Sequence, residues 1–459
     1  MRRLLHALVL LAAAIPCAAL APRVAVAYPT DFVDELVAAV PGAPVVFVCV
    51  PDGRWFVGDI FGSIYEVASN GTVNPAPMIT LSVENFEERG LLGMALDPAF
   101  PAAPYVYVLY TPPGASQTNL FHRISRFQVS GGTIVAGTET ILHSTLPTGN
   151  GYHVAGGLEI GPDGKLYATV GENGYDGAQP YPQQLGRLEG KLIRINTDGT
   201  IPSDNPFYNT AGARQEIFQR GYRNPFRFTF QSPTGLLWAN DVGSNFPNAY
   251  DEIDVGGAGA NFGFGIVEGI VPSPPAGVTN PIYAIKRNSG ACIAGGAFYT
   301  GGPFPPEYDG NYFWLEHLRG QINRMVLDGG NVVQSVTIPW GATASGGWDN
   351  GAGDLKMGND GAFYYCTYDP GQLRRIRYNG TVSVPPGGDR RTALDPPSPN
   401  PFAGATQVRF ALGATARVRL GVFDLVGRRV ATLEDGVIEA GAHVSTWSGR
   451  DLDGRSVAA

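Results

Sequence analysis

Short runs of aromatic and aliphatic residues, separated by breaks rich in Gly, Pro and Asp, recur along most of the chain. "VCVPDGRWFVGDIFGSIYEV", beginning at Val48, reads as strand, turn, strand, turn, strand. "EIGPDGKLYATVGENG" from Glu159 and "LKMGNDGAFYYCTYDPGQLRRIRY" from Leu355 repeat the pattern. Looser copies stand at "GLLGMALDPAFPAAPYVYVLYTP" and "FTFQSPTGLLWANDVG". In the x-D-G-x turns Gly supplies a positive φ and Asp bonds its own backbone, so each predicts a hairpin. The copies recur at roughly 50 to 60 residues, the scale of one four-stranded propeller blade. No long amphipathic helical pattern competes. The expectation is all-β: a six-bladed β-propeller over residues 31–380.

The pattern breaks at "YNGTVSVPPGGDRRTALDPPSPNPF", and residues 381–402 read as a Pro-rich linker. Beyond it, "TQVRFAL", "ARVRLGVFDLVGRRVATL" and "AGAHVSTWSGRDLDGR" alternate at strand period, predicting a second small β domain over 403–459. This stretch resembles the immunoglobulin-like module of the flagellar hook-capping type, which implies a β-sandwich. Members of that type continue with a further G-V-Y strand, so this copy is expected to lack its last one. Asp451 and Asp453 read as turn residues, because no further acidic calcium ligands follow them.

The N-terminus changes the picture of where the protein works. Arg2 and Arg3 precede an apolar run, Leu4 to Ala14, and Ala25-Val26-Ala27 closes the segment. These are the parts of a secretory signal over residues 1–27, too short and too soon interrupted to span a membrane. A secreted, periplasmic or cell-surface protein is expected, with no integral membrane segment and with the C-terminal module as a means of surface attachment or sorting. A net charge of −8 and a pI near 5.3 argue against a nucleic-acid partner. Past the signal, Cys49, Cys292 and Cys366 are an odd number and cannot all pair within one chain. They read as small buried side chains, with a Cys49–Cys366 bridge open if the first and last blades meet.

Four stretches concentrate chemistry: "FEERGLLGMALDPAF", "GYHVAGGLEIGPDGKLY", "EIFQRGYRNPFRFTF" and "ANDVGSNFPNAYDEIDVGGAGANFGF". Adjacent Glu87 and Glu88 are not read as a retaining glycosidase pair, since adjacent strand residues face opposite sides. Asp251 and Glu252 read as residues that cap or bridge strands, with calcium ligation as the alternative.

With their order, these motifs resemble the glucose/sorbosone dehydrogenase family across roughly residues 31–380. That resemblance implies an exported quinoprotein-type sugar (aldose) dehydrogenase, oxidising the anomeric hydroxyl to a lactone with pyrroloquinoline quinone (PQQ) and calcium. It implies His153 as the base, a role suited to imidazole, and Arg223 as the cation beside the quinone carbonyls. Glu88, Arg223 and Asn224 fall at cofactor-binding positions. Gly243 and Ser244 fall where backbone carbonyls hold the calcium. The chain also departs from the pattern: Glu88 replaces a Gln, Tyr152 an Asp, and Leu318, Gly351 and Gly353 stand where the family places a Lys and two Arg that grip the quinone carboxylates. The alternative is a non-catalytic propeller that binds carbohydrate or protein, as hedgehog-interacting relatives do.

Overall fold

The structure is a computed structural model that describes residues 29–450 apart from 115–119, 178, 233, 247, 288–291, 318–319, 329, 342–350, 381–392, 395–405, 413–415, 424–428 and 440. The signal segment, most of the linker, Leu318, Asp451 and Asp453 lie outside the described residues. Among those described, the chain divides into two compact units between Gly380 and Thr381.

The first unit holds six four-stranded antiparallel sheets, the blades of a propeller. Blade one is Pro44–Cys49, Trp55–Asp59, Ser63–Val67 and Ile79–Thr80; blade two runs from Leu91–Leu96 to Thr133–Pro147. Blades three, four and five open with Leu158–Ile160, Pro225–Phe230 and Ile293–Phe298. Blade six contributes Ala352–Met357, Phe363–Thr367 and Gln372–Tyr378, and the N-terminal strand Phe32–Ala39 completes it from outside. The opening strand of each blade touches those of the blades before and after, so the six form a closed ring. Closure removes the exposed sheet edge that an open array would carry. It is fixed by Phe32, whose ring lies 4.9–5.3 Å from those of Phe304, Tyr308, Trp340 and Tyr378.

The turn chemistry read from the sequence is present. Gly53, Gly164 and Gly361 have φ of +87°, +71° and +73°. Asp52, Asp163 and Asp360 each accept the backbone N–H two residues on. The second strand then returns a Tyr to the same carboxylate: Tyr167 reaches Asp163 and Tyr364 reaches Asp360, each at 3.0 Å. One local device thus pins the register of repeated hairpins.

In five blades the opening strand slips register against its neighbour, around Val45, Leu92, Phe226, Ala294 and Gly353. Such bulges re-aim side chains at the end of a strand. All five of these residues line one cavity at that end of the ring. A second hollow, of about 630 Å³, is lined by residues of the opening strands of blades one, two, three, four and six, among them Cys49, Leu96, Ile160, Phe230 and Lys356. Between the two, Arg227, Asp354, Lys356 and Glu159 alternate in sign, Lys356 bonding Glu159 at 2.6 Å and Arg227 donating to Val45 O at 2.7 Å.

Blades one and six do meet, with the Trp55 and Tyr364 rings 4.2 Å apart. Cys49, Cys292 and Cys366 are nonetheless free thiols, so the Cys49–Cys366 bridge does not form. Cys366 is enclosed in its own sheet between Asp354 and Leu373, while the Cys49 thiol turns to Val50 O at 3.6 Å. Among the described residues, the second unit contains two small sheets: Ala393–Leu394, Thr406–Leu412 and Gly441–Trp447, and the pair Ala416–Phe423 with Arg429–Ile438. Among the described residues no helix is long and apolar enough to cross a membrane.

Candidate active site

His153 lies on the turn that leads into blade three, in a left-handed conformation with φ +52°, followed by Ala155 at +59°. Non-glycine residues rarely hold that conformation unless their surroundings impose it. Here the His153 N–H donates to Glu88 Oε2 at 2.7 Å and the Ala155 N–H to Asn224 Oδ1 at 2.9 Å. The His153 carbonyl approaches Gly171 so closely that a Cβ there would lie 1.8 Å from its oxygen.

The imidazole is held at both nitrogens. Nδ1 is 2.5 Å from Glu172 Oε1, and Nε2 is 2.9 Å from Arg223 Nη2. A carboxylate accepts and a guanidinium donates, so these partners place the proton on Nδ1 and the lone pair on Nε2. Glu172 is buried and fixed in turn by the N–H groups of Gly174 and Asp176, at 3.0 and 2.7 Å. Arg223 is only 1% exposed; its Nε pairs with Asp176 at 2.8 Å and its Nη1 donates to Val242 O at 3.0 Å. The turn that carries it is anchored by Asp241, whose two oxygens accept the N–H groups of Arg223 and Asn224 at 2.9 and 2.6 Å. Burial pushes the Asp241 carboxyl up to about 7, against the pull of those two N–H groups. Glu88 is also raised by burial, against the opposing fields of His153 and Arg223.

Of these residues, Glu88, His153, Arg223, Asn224 and Val242 line one cavity of about 460 Å³, within the range of small-molecule sites. Its floor is the ring of five bulge residues, and its far wall carries Arg287, Cys292, His317 and Tyr368. His153, Arg223, Asn224 and Glu88 therefore converge from blades two, three and four. Glu87 and Glu88 occupy a turn, Glu87 at φ +59°, and both line the cavity. The strand geometry expected to point them apart does not apply. Gly243 and Ser244 are not among the lining residues, although Val242 and Asn245 on either side are. Gly243 donates to Asp251 at 3.0 Å, and Ser244 bonds Glu268 through both N–H and Oγ while lining a separate hollow of about 200 Å³ with Asp176.

Among the described residues, two groups of possible metal ligands bring their atoms within 4.8 Å: His153, Glu172 and Asp176, and the buried Asp241, Glu252 and Asp254. Asp251 bridges instead, accepting from Arg287 at 2.7 Å and from the Ile293 N–H at 2.9 Å. Glu172, Asp176, Asp241 and His317 were not singled out from the sequence. The one local signal was Glu172, an acid directly after a repeated blade strand.

The glucose/sorbosone dehydrogenase profile matches residues 42–375. An aldose sugar dehydrogenase of Escherichia coli (strain K12) is 30% identical over 233 residues, 48% of this chain and 60% of that protein. Quinoprotein glucose dehydrogenase B of Acinetobacter calcoaceticus is 32% identical over 244 residues, 48% of this chain and 49% of that protein. The chain thus matches about half to three-fifths of the length of these relatives. The fold is shared with the PQQ-bound aldose sugar dehydrogenase of Streptomyces coelicolor, at a TM-score of 0.61 and 21% identity over 76% of this chain and 99% of that one. With a propeller of this order and a profile match that spans it, this chain belongs to the glucose/sorbosone dehydrogenase family.

Proposed function

We propose that the protein is an exported sugar dehydrogenase that oxidises the anomeric hydroxyl of an aldose to a lactone, with PQQ in the cavity described above and with calcium at Gly243 and Ser244, between the lining residues Val242 and Asn245. The observation that carries this reading is the clamping of His153 between Glu172 and Arg223 on the cavity wall. A base whose Nδ1–H is fixed by a carboxylate presents its Nε2 lone pair outward, ready for a hydroxyl proton once a substrate displaces the Arg223 contact. Glu172 holds the ring and favours the imidazolium that results. Arg223, buried and multiply anchored, offers fixed positive charge where negative charge develops. Both relatives named above as dehydrogenases support the substrate class.

The cavity suits a flat quinone in part. Its floor is apolar, with Val45, Leu92, Phe226 and Ala294, and Arg223 with Asn224 stands at one edge. When bound, the quinone supplies the hydride acceptor. Gly243 and Ser244 would hold calcium through backbone carbonyls. Export rests on the Arg2-Arg3 start and the apolar segment that ends at Ala27, and the C-terminal unit would serve surface attachment.

The test is His153→Asn in protein loaded with PQQ and calcium, assayed with aldoses and an acceptor dye. Dye reduction should fall about 10²- to 10⁴-fold, the worth of a positioned base, while quinone affinity stays unchanged. Equal activity in the variant would remove His153 from the chemistry.

A further inference from the structure

The far wall of the cavity carries a histidine with no assigned part in the chemistry. His317 follows the blade-five strand Tyr312–Glu316 and donates its backbone N–H to Cys292 O at 2.8 Å. Its ring lies where a side chain from position 351 would otherwise go. A Cβ on Gly351 would stand 1.9–2.3 Å from three atoms of the imidazole, and Gly351 also has a φ of +79°. The glycine at 351 and the histidine at 317 are thus one arrangement, in which the space over residue 351 is filled from the neighbouring blade.

Nδ1 of His317 is 3.2 Å from Ala352 O, a group that can only accept, so Nδ1 carries a proton. Nε2 is the ring nitrogen left for a ligand, and among the described residues it has no hydrogen-bond partner. In the neutral ring Nε2 is a lone pair and repels a carboxylate. Only the imidazolium offers it an N–H.

We propose that His317 is the anion-reading cation of this cavity, binding a carboxylate of the quinone through Nε2–H and taking up one proton from solvent as the ligand enters. This rests on the proposed function, and it places the recognition of the acid group where Gly351 and Gly353 provide no side chain. Burial lowers the His317 pKa below the usual 6.5, with its bond to Ala352 O in opposition, so the free ring is neutral near pH 7.5. Among the other groups that line the cavity, Arg223 and Arg287 are the cations, Tyr152 and Tyr368 are held neutral by raised pKa values, and burial pushes the Cys292 thiol up to about 12. Glu87, Glu88 and His153 also line the cavity, and variants of each serve as controls below. Adjacent Glu316 is turned to the Cys292 N–H at 3.0 Å.

The experiment is calorimetric titration of PQQ into the full chain in two buffers of different ionisation enthalpy, from pH 6 to 8.5. Binding should weaken as pH rises and should carry proton uptake at the upper end. His317→Gln should bind roughly tenfold to a hundredfold more weakly at pH 6, the worth of a charge-assisted hydrogen bond, and lose the His317 share of the uptake. His317→Lys should keep the affinity and flatten the pH dependence, which a merely structural histidine would not do. Glu87→Gln, Glu88→Gln and His153→Asn should each retain the His317-dependent part. If His317→Gln binds the quinone as the parent does at every pH, the proposal is overturned and the proposed function stands. If the parent binds no quinone at millimolar concentration, both are overturned.

Discussion

Gly171 shows how tightly single residues constrain this site. It lies at the end of a blade-three strand, against the carbonyl of His153, and a methyl group there would stand 1.8 Å from that oxygen. Gly171→Ala must displace the turn that holds His153 in its left-handed conformation. We expect a cost of about 1–3 kcal/mol in stability and, more tellingly, a fall of at least about a hundredfold in dye reduction as the base leaves Glu172. Circular dichroism and kcat separate the two effects; a variant with parent activity would show that the turn can move without harm. Much of the wall was legible in the sequence. His153, Arg223, Asn224 and Glu88 stand in ordered motifs, and all four line the cavity. Glu172 and Asp176 were not legible, because an acid beside glycines reads as a turn residue until the fold brings it to a histidine. His317 was hidden for the opposite reason: nothing local reveals that a glycine in another blade makes room for it.

At the scale of elements, the bulges of five opening strands turn one residue each into the cavity floor, a feature no strand pattern announces. The second and third strands of blade four carry the opposite kind of tension. Asp241, Glu252 and Asp254 are buried together, and neither oxygen of Asp254 has a hydrogen-bond partner among the described residues. Burial, then the charges of Glu252 and Asp241, raise Asp254 well above the ordinary carboxylate range. A carboxyl raised on folding contributes full stability below its unfolded value, near 4, and that contribution is lost as pH rises through the folded one. Asp254→Asn removes this loss, and its amide can donate to the two neighbouring carboxylates. In chelator-treated protein the substitution should raise stability at pH 8 by about 1–3 kcal/mol, with the gain vanishing towards pH 4. Thermal melts at the two pH values measure it; a variant destabilised at pH 8 would show that the three acids hold a cation that survives chelation.

At the scale of the whole molecule, six blades were countable because the x-D-G-x hairpins repeat and each needs the same glycine conformation. The closure of blade six by Phe32–Ala39 was not, since one strand far from its partners in sequence carries no period of its own. The division at Gly380 and Thr381 leaves each unit with its own sheets, and we expect residues 29–380 to fold alone. That fragment should melt as the full chain's propeller does and keep its dye reduction; loss of either would tie the second unit to the first. The claim on which the rest depends is that this propeller is a working quinoprotein. The measurement that tests it most directly is titration of the full chain with PQQ in the presence of calcium, followed by aldose-dependent reduction of an acceptor dye. The account predicts saturable quinone binding and turnover that His153→Asn lowers about 10²- to 10⁴-fold. A protein that binds neither quinone nor sugar at millimolar levels would contradict it, and the cavity would then belong to a propeller that binds without reacting.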